Sequence, residues 1–130
     1  MMAALAGSAA GCVGEARPAE RHAMRDGYTY LGERWVNGGL DHDAIGLGRA
    51  DGRWNSIMIV VEHAPVEMYD MIVTFGDGEK FEPKTRMTFG ANTTSRMIDL
   101  PGRNRVIRRV DFHYGNIAGD GKARVELWAR

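Results

Sequence analysis

An all-β fold, an antiparallel β-sandwich of about eight strands with jelly-roll or Greek-key-like connections, is what this sequence predicts. Turn signals recur at Asn37-Gly38-Gly39, Asp51-Gly52, Ala64-Pro65, Asp77-Gly78, Gly90-Ala91-Asn92, Pro101-Gly102 and Asp120-Gly121. Their spacing, roughly 10–17 residues, is that of strands joined by short loops. Glycine supplies 17 of the 130 residues, about twice its usual share, and glycine is costly in helices but useful in turns. Between the turns apolar residues alternate, and no segment sustains a helical period.

The strands follow in order. Residues 28–36 and 40–48 flank the Asn-Gly-Gly turn. Residues 54–62 hold Ile57, Ile59 and Val61 on one face and are apolar on the other face as well, which is the pattern of a central strand. In 67–75, Tyr69, Met71, Val73 and Phe75 share a face. Residues 80–89 and 94–100 come next. In 105–114 the shared set is Val106, Val110, Phe112 and Tyr114, and in 122–129 it is Ala123, Val125 and Leu127. Such sets face one side of a sheet. Two sheets packed face to face satisfy them, and a small rolled-up barrel is the alternative. Trp54 and the methionines Met58, Met68, Met71, Met87 and Met97 read as core filling.

The chain has room for one domain, expected over residues 27–130. Hydrophobic residues make up 44% and charged residues 26%, an ordinary globular composition. The 17 basic and 17 acidic residues cancel. A neutral chain lacks the basic field that nucleic acid requires. Residues 1–12, MMAALAGSAAGC, are small and apolar, like the end of an export signal and in particular like a bacterial lipobox. Ala9, Ala10 and Gly11 would precede Cys12, the residue to be lipidated. Ala9 stands where a larger aliphatic is usual, and the basic n-region is missing, as expected if translation starts upstream. Residues 13–26, rich in Ala, Glu and Arg, read as a flexible tether. The expected location is the periplasm or outer membrane, with secretion as the alternative. No later segment reaches the ~20 apolar residues of a membrane span.

The strings YLGERWV, MYDMIVTFGDGEKF and IDLPGRNRVIRRVDFHYG resemble a family of short exported bacterial proteins known only as a domain of unknown function. The resemblance runs from Tyr28 to the C-terminus. It implies an exported β-sandwich and brings no activity or catalytic residue.

Two clusters carry chemistry. Asp41, His42 and Asp43 leave the first turn. If the strands reverse direction each time, the turns near residues 38, 65, 91 and 118 gather at one end. Asp41, Asp43, His63, His113 and Asp120 then form a candidate metal set. A zinc ion would use imidazole and carboxylate, and calcium would use oxygens, including that of Asn92. Asp and Asn are also ordinary turn formers, so the competing expectation is no ion. Arg103, Arg105, Arg108 and Arg109, joined by Arg96, form the densest basic run. Arg103, Arg105, Arg109 and Trp128 are the candidate contacts for phosphate, sulfate or an acidic glycan, because guanidinium groups match such anions bidentately. Arg109, Asp111 and His113 are expected outward, pairing with outward Arg124, Glu126 and Trp128 on the next strand. Trp35 and Trp128 are candidate exposed rings for sugar stacking.

No Ser lies in a G-x-S-x-G elbow. Glu33, Glu62 and Glu67 are the candidate paired acids of a glycosidase. The expected role is non-enzymatic: a binding or structural envelope module. A calcium-dependent or acidic-glycan-binding module is one alternative, and a small metal-dependent hydrolase at the Asp/His end is another. The expected partner is an envelope component or glycan.

Overall fold

Period-two patterning assigns each strand an inward side, and the inward sides meet between two antiparallel sheets. The computed structural model describes residues 18–36, 41–83, 87–115 and 122–130. Its strands are β1 (Thr29–Val36), β2 (Asp41–Gly46), β3 (Ser56–Glu62), β4 (Val66–Phe75), β5 (Lys80–Phe81), β6 (Met87–Phe89), β7 (Thr93–Thr94), β8 (Ile98–Asp99), β9 (Ile107–Gly115) and β10 (Ala123–Ala129). One sheet runs β1-β10-β3-β7, with β8 also on β3. The other runs β2-β9-β4-β5, with β6 also on β4. The chain changes sheet at each step from β1 to β4, and again from β6 to β7, from β8 to β9 and from β9 to β10. The sheets stay open, so the architecture is the sandwich and not the barrel. Among the described residues no helix is long and apolar enough to cross a membrane.

The core between the sheets is built from the alternating sets. Ile57, Ile59 and Val61 of β3 and Val125 and Leu127 of β10 face Met71, Val73 and Phe75 of β4 and Val110, Phe112 and Tyr114 of β9. All are fully or almost fully buried. Every residue of β3 is buried, as its two apolar faces require, and it is paired on both sides.

Residues 18–25 of the segment expected as a tether cover the outer face of β3; residues 13–17 lie outside the described residues. Pro18–Arg25 form a helix, α1. Proline is tolerated in the first helical turn, where its missing N–H is not needed. Ala19 and Ala23, four apart, are buried with Tyr28, Met58, Val60 and Trp128. Gly27 ends the helix at φ 84°, and Tyr28 N–H returns to the Ala23 carbonyl at 3.0 Å, the usual glycine closure. Only small side chains on the buried stripe let the helix lie this close to the sheet.

Two expected strands are each divided. The 80–89 segment becomes β5 and β6, with Pro83 between them; proline gives a ladder no N–H. The 94–100 segment becomes β7 and β8. Here Ser95 substitutes a side chain for the ladder: its Oγ accepts Ile59 N–H at 2.9 Å and donates to the Arg96 carbonyl at 2.7 Å. The backbone is then released, and Arg96 and Met97 swing out to solvent. Ser95→Ala is expected to cost about 1–3 kcal/mol, because Ile59 N–H would stay buried without an acceptor. Urea unfolding should show a lower midpoint with an unchanged slope.

The strand ends place the turns. Val36 pairs with Ala123, Glu62 with Arg124, Val61 with Thr93 and Val66 with Phe89. The ends of β1, β3 and β6 and the start of β10 therefore lie at one end, as the reversal of strands predicts. Residues 47–55, 76–79 and 100–106 lie at the other end.

Candidate functional site

The Asp/His residues expected as a metal set are dispersed by the two-sheet topology. His42 and His113 face each other on the outer face of the β2-β9-β4 sheet, with rings stacked at 4.5 Å. His42 Nε2 donates to Asp111 at 3.0 Å, and His113 Nδ1 to Asp70 at 2.6 Å. Asp43 points the other way, and its carboxylate accepts the Tyr114 hydroxyl at 2.7 Å. His63 belongs to the opposite face, its ring centroid 5.0 Å from that of Trp35. His63 and His113 thus share an end but not a layer. The backbone of Asp41 lies opposite Tyr114; its side chain, Asp120 and Cys12 lie outside the described residues. Among the described residues no three His, Cys, Asp or Glu side chains are placed to hold a metal ion. Asp111 is instead a local ionic hub. Burial pushes its carboxyl up, but bonds from Arg109 and His42 outweigh this and hold it below the usual value.

The expected pairing of the last two strands does not occur, because β9 and β10 are in different sheets. The Arg109 guanidinium turns to Asp111 on its own strand, at 2.7 and 3.0 Å. Trp128 is buried beneath α1, so it is neither a surface ring nor a neighbour of the arginines. Arg103 and Arg105 do come together, at the other end of the molecule from His63.

The polar centre of the domain is the outer face of the β1-β10-β3 sheet. Strand register lays its residues in rows. Trp35, Arg124 and Glu62 form the first; Glu33, Glu126 and Val60 the second; Tyr30, Trp128 and Met58 the third. Helix α1 covers the β3 side and leaves β1 open. Trp35 is 51% exposed and Tyr30 44%. Between the covered and open sides stands Arg124. Its guanidinium lies 3.0 Å from Glu126, 3.1 Å from Glu20 of α1, 3.8 Å from Glu62 and 4.0 Å from Glu33. One cation thus serves four carboxyl groups, two of them, Glu62 and Glu126, fully buried.

That imbalance sets the protonation of the cluster. Burial pushes the Glu126 carboxyl up to about 8, and its hydrogen bond and repulsion with Glu20 add to the shift. The Trp128 indole, donating to Glu126 at 2.8 Å, and the charge of Arg124 oppose it without reversing it. At neutral pH the Glu20–Glu126 pair therefore retains a proton, as two carboxyls in contact must. At the open rim Tyr30 donates to Glu33 at 2.7 Å. Burial and this bond to a carboxylate raise the phenol well above its ordinary value.

Trp35 completes the arrangement. The Arg124 guanidinium carbon lies 5.9 Å from its ring centroid, and the His63 ring is tilted 33° to it. His63 adopts φ 79°, a conformation that a residue with a Cβ takes only when its surroundings impose it. The turn after β3 thus spends strain to put an imidazole beside an exposed indole. Glu33 and Glu62, considered as paired acids, belong to this cluster; Glu67 is in the other sheet. Sequence reasoning missed Glu20 and the role of Arg124. The alternation of Arg124, Glu126 and Trp128 was visible, but their flanking strands were not.

The comparisons with known proteins give a family. No curated protein matches the chain. A solved mutant of a carbohydrate binding module of family 29 is 20% identical, over 80% of this chain and 81% of its own, with a TM-score of 0.40. Another mutant of such a module, complexed with cellulohexaose, is 19% identical over 80% of each chain, with a TM-score of 0.37. The model of the family described as "Domain of unknown function (DUF2541)" matches residues 4–129, and the chain belongs to that family.

Proposed function

We propose that the domain is a non-enzymatic, glycan-binding module of the bacterial envelope, and that the open side of the β1-β10-β3 face is its binding surface. The observation that carries this reading is the half-exposed indole of Trp35, flanked by His63 and Arg124. An aromatic face meets the C–H face of a sugar ring, and polar groups at its edge meet the hydroxyls. Tyr30 adds a second exposed ring on the same strand, roughly 16 Å away at about 3.3 Å per residue. Glu33 stands between them, and Arg124 lies beside Trp35. The carboxyl groups suit binding better than hydrolysis. Glu62 and Glu126 are fully buried against the Arg124 guanidinium, so they do not flank an open groove as a glycosidase acid pair must.

Location belongs to the same proposal. The small-residue run ending in Cys12 supports export, with lipidation at Cys12 or secretion without it. Globomycin treatment or Cys12→Ala in cells would separate these outcomes by membrane fractionation.

Binding is tested with oligosaccharides from cellulose, chitin and peptidoglycan, read by the emission of Trp35. Stacking should blue-shift or quench it. Trp35→Ala should weaken binding about tenfold or more, as loss of a central aromatic contact does. Its exposure implies little change in melting temperature. A binder that Trp35→Ala leaves unaltered, or no response to any of the three glycan classes, would overturn the assignment.

A further inference from the structure

At the end of the sandwich remote from Trp35, three connections meet around a cleft of about 390 Å³. Arg49 and Arg53 come from the loop before β3, Asp77 from the turn after β4, and Arg103 and Arg105 from the loop before β9; Phe75 forms part of the wall. Arg108 reaches the rim, where it donates to the Gly76 carbonyl at 3.2 Å. Arg49 and Arg53 are far in sequence from the Arg103–Arg108 run, and the chain as a whole is neutral. Their convergence is therefore a product of the fold.

The arginines divide into two kinds. Arg105 is structural. It lies over the Phe75 ring at 3.8 Å, donates to Glu79 at 2.6 Å and to the Pro101 carbonyl at 2.7 Å, and is 3.5 Å from Asp77. Of the acidic residues of this end, Asp77 and Glu79 are thus engaged with Arg105, and Asp51 accepts the Gly48 N–H at 2.7 Å. Arg49, Arg53 and Arg103 are exposed, and among the described residues none has a carboxylate partner. Arg53 donates over a long 3.4 Å to the Asn104 carbonyl. The cleft therefore carries an excess of positive charge.

Its walls are also fixed in place. Trp54 and Arg105 exchange both backbone hydrogen bonds, at 2.8 and 2.9 Å. Asn104 N–H donates to the Asn55 side chain at 3.0 Å, and the Asn55 amide returns to Asn104 at 3.3 Å. Gly52, Gly78, Gly102 and Asn104 take positive φ in the loops that form it, which lets the chain turn sharply. A rigid concave site with several guanidinium groups and little competing acid matches a tetrahedral oxyanion, which accepts such forks from several directions.

We propose that this cleft binds a phosphate or sulfate group, free or as an ester, with Arg49, Arg53 and Arg103 as its ligands and Arg105 as the strut that positions the loops. The site stands apart from the Trp35 surface, so either assignment can fail while the other holds.

The test is a backbone-amide NMR titration of the whole domain with inorganic phosphate, inorganic sulfate, glucose 6-phosphate and a sulfated disaccharide, against chloride at equal ionic strength. Saturable shifts confined to residues 49–53, 76–79 and 101–106 are expected. Binding of the free ions alone identifies an ion site, and tighter binding of one ester identifies the group's carrier. The double variant Arg49→Gln/Arg103→Gln should weaken binding about tenfold or more. It should leave the melting temperature nearly unchanged, since among the described residues neither side chain has a carboxylate partner. Trp35→Ala should bind these anions like the parent. Shifts no larger than those from chloride, or equal affinity in the double variant, would overturn the proposal.

Discussion

Arg124→Met is expected to destabilise the domain by about 3 kcal/mol at neutral pH, lowering its melting temperature by roughly 10 °C. Methionine keeps much of the volume and apolar stem of arginine, so the loss would come from charge. Glu20, Glu33, Glu62 and Glu126 all lie within 4.0 Å of the guanidinium. Removing the cation leaves buried carboxyl groups facing one another. Helix α1 should suffer first, because Glu20 is its ion-pair contact with the sheet. Hydrogen exchange would then accelerate in residues 18–25 before the strands. The penalty should shrink toward pH 4, where the carboxyls accept protons and the need for a cation fades. A loss below about 1 kcal/mol, or one independent of pH, would show that Arg124 is peripheral to the fold.

The second large effect is a fall in stability with rising pH. The Glu126 carboxyl is raised from 4.5 to about 8 in the folded chain. Between these values the folded state holds a proton that the unfolded chain has released. The stabilising contribution is therefore complete below pH 4.5 and is lost as the pH rises through about 8. The loss should be on the order of 3 kcal/mol, shared with Glu20 through their common proton. Glu126→Gln supplies a permanent counterpart of the protonated acid. Its amide can donate to Glu20 and its carbonyl can accept the Trp128 indole N–H. The variant should lack most of the decline and exceed the parent in stability above pH 8. Urea unfolding of both proteins from pH 5 to pH 9 would decide this; parallel curves would mean that Glu126 does not carry the buried proton.

Much of the fold was legible because β-structure writes its sides into the sequence. Ile57, Ile59 and Val61 alternate, and they lie on the core side of β3. The doubly apolar 54–62 segment demanded a covered central strand, and it has one. The cover itself went unread. Eight residues of PAERHAMR are too few to show a helical period, and their buried stripe is two alanines, which carry little hydrophobic signal. Outward Met58, Val60 and Trp128 required a partner surface, and Pro18, Ala19, Ala23 and Gly27 were its trace. The interruptions at Pro83 and Ser95 differ in legibility: proline announces a break, whereas a serine that replaces a ladder bond looks like any other polar strand residue.

The sites were less legible, for a topological reason. Local alternation tells which side a residue faces within its own strand, and so it separated Asp43 from His42 and put Trp35, Arg109 and Arg124 outward. It says nothing of which strand lies alongside. Residues 105–114 and 122–129 are consecutive in sequence, yet the chain crosses between sheets after β9. That crossing sends Arg109 to Asp111 and Arg124 to Glu20, Glu62 and Glu126, and the division of β3 and β9 between the two sheets sets His63 and His113 on opposite outer faces. The convergence of Arg49 and Arg53 with Arg103 at the far cleft is likewise a matter of which loops share an end. By itself, the sequence determined a turn-rich, two-sided β-domain with a neutral surface and defined inward sets, because strand period and turn chemistry are local. Tertiary structure decided which charges meet, which tryptophan stays exposed and which carboxyl keeps its proton, because those depend on neighbours far away along the chain.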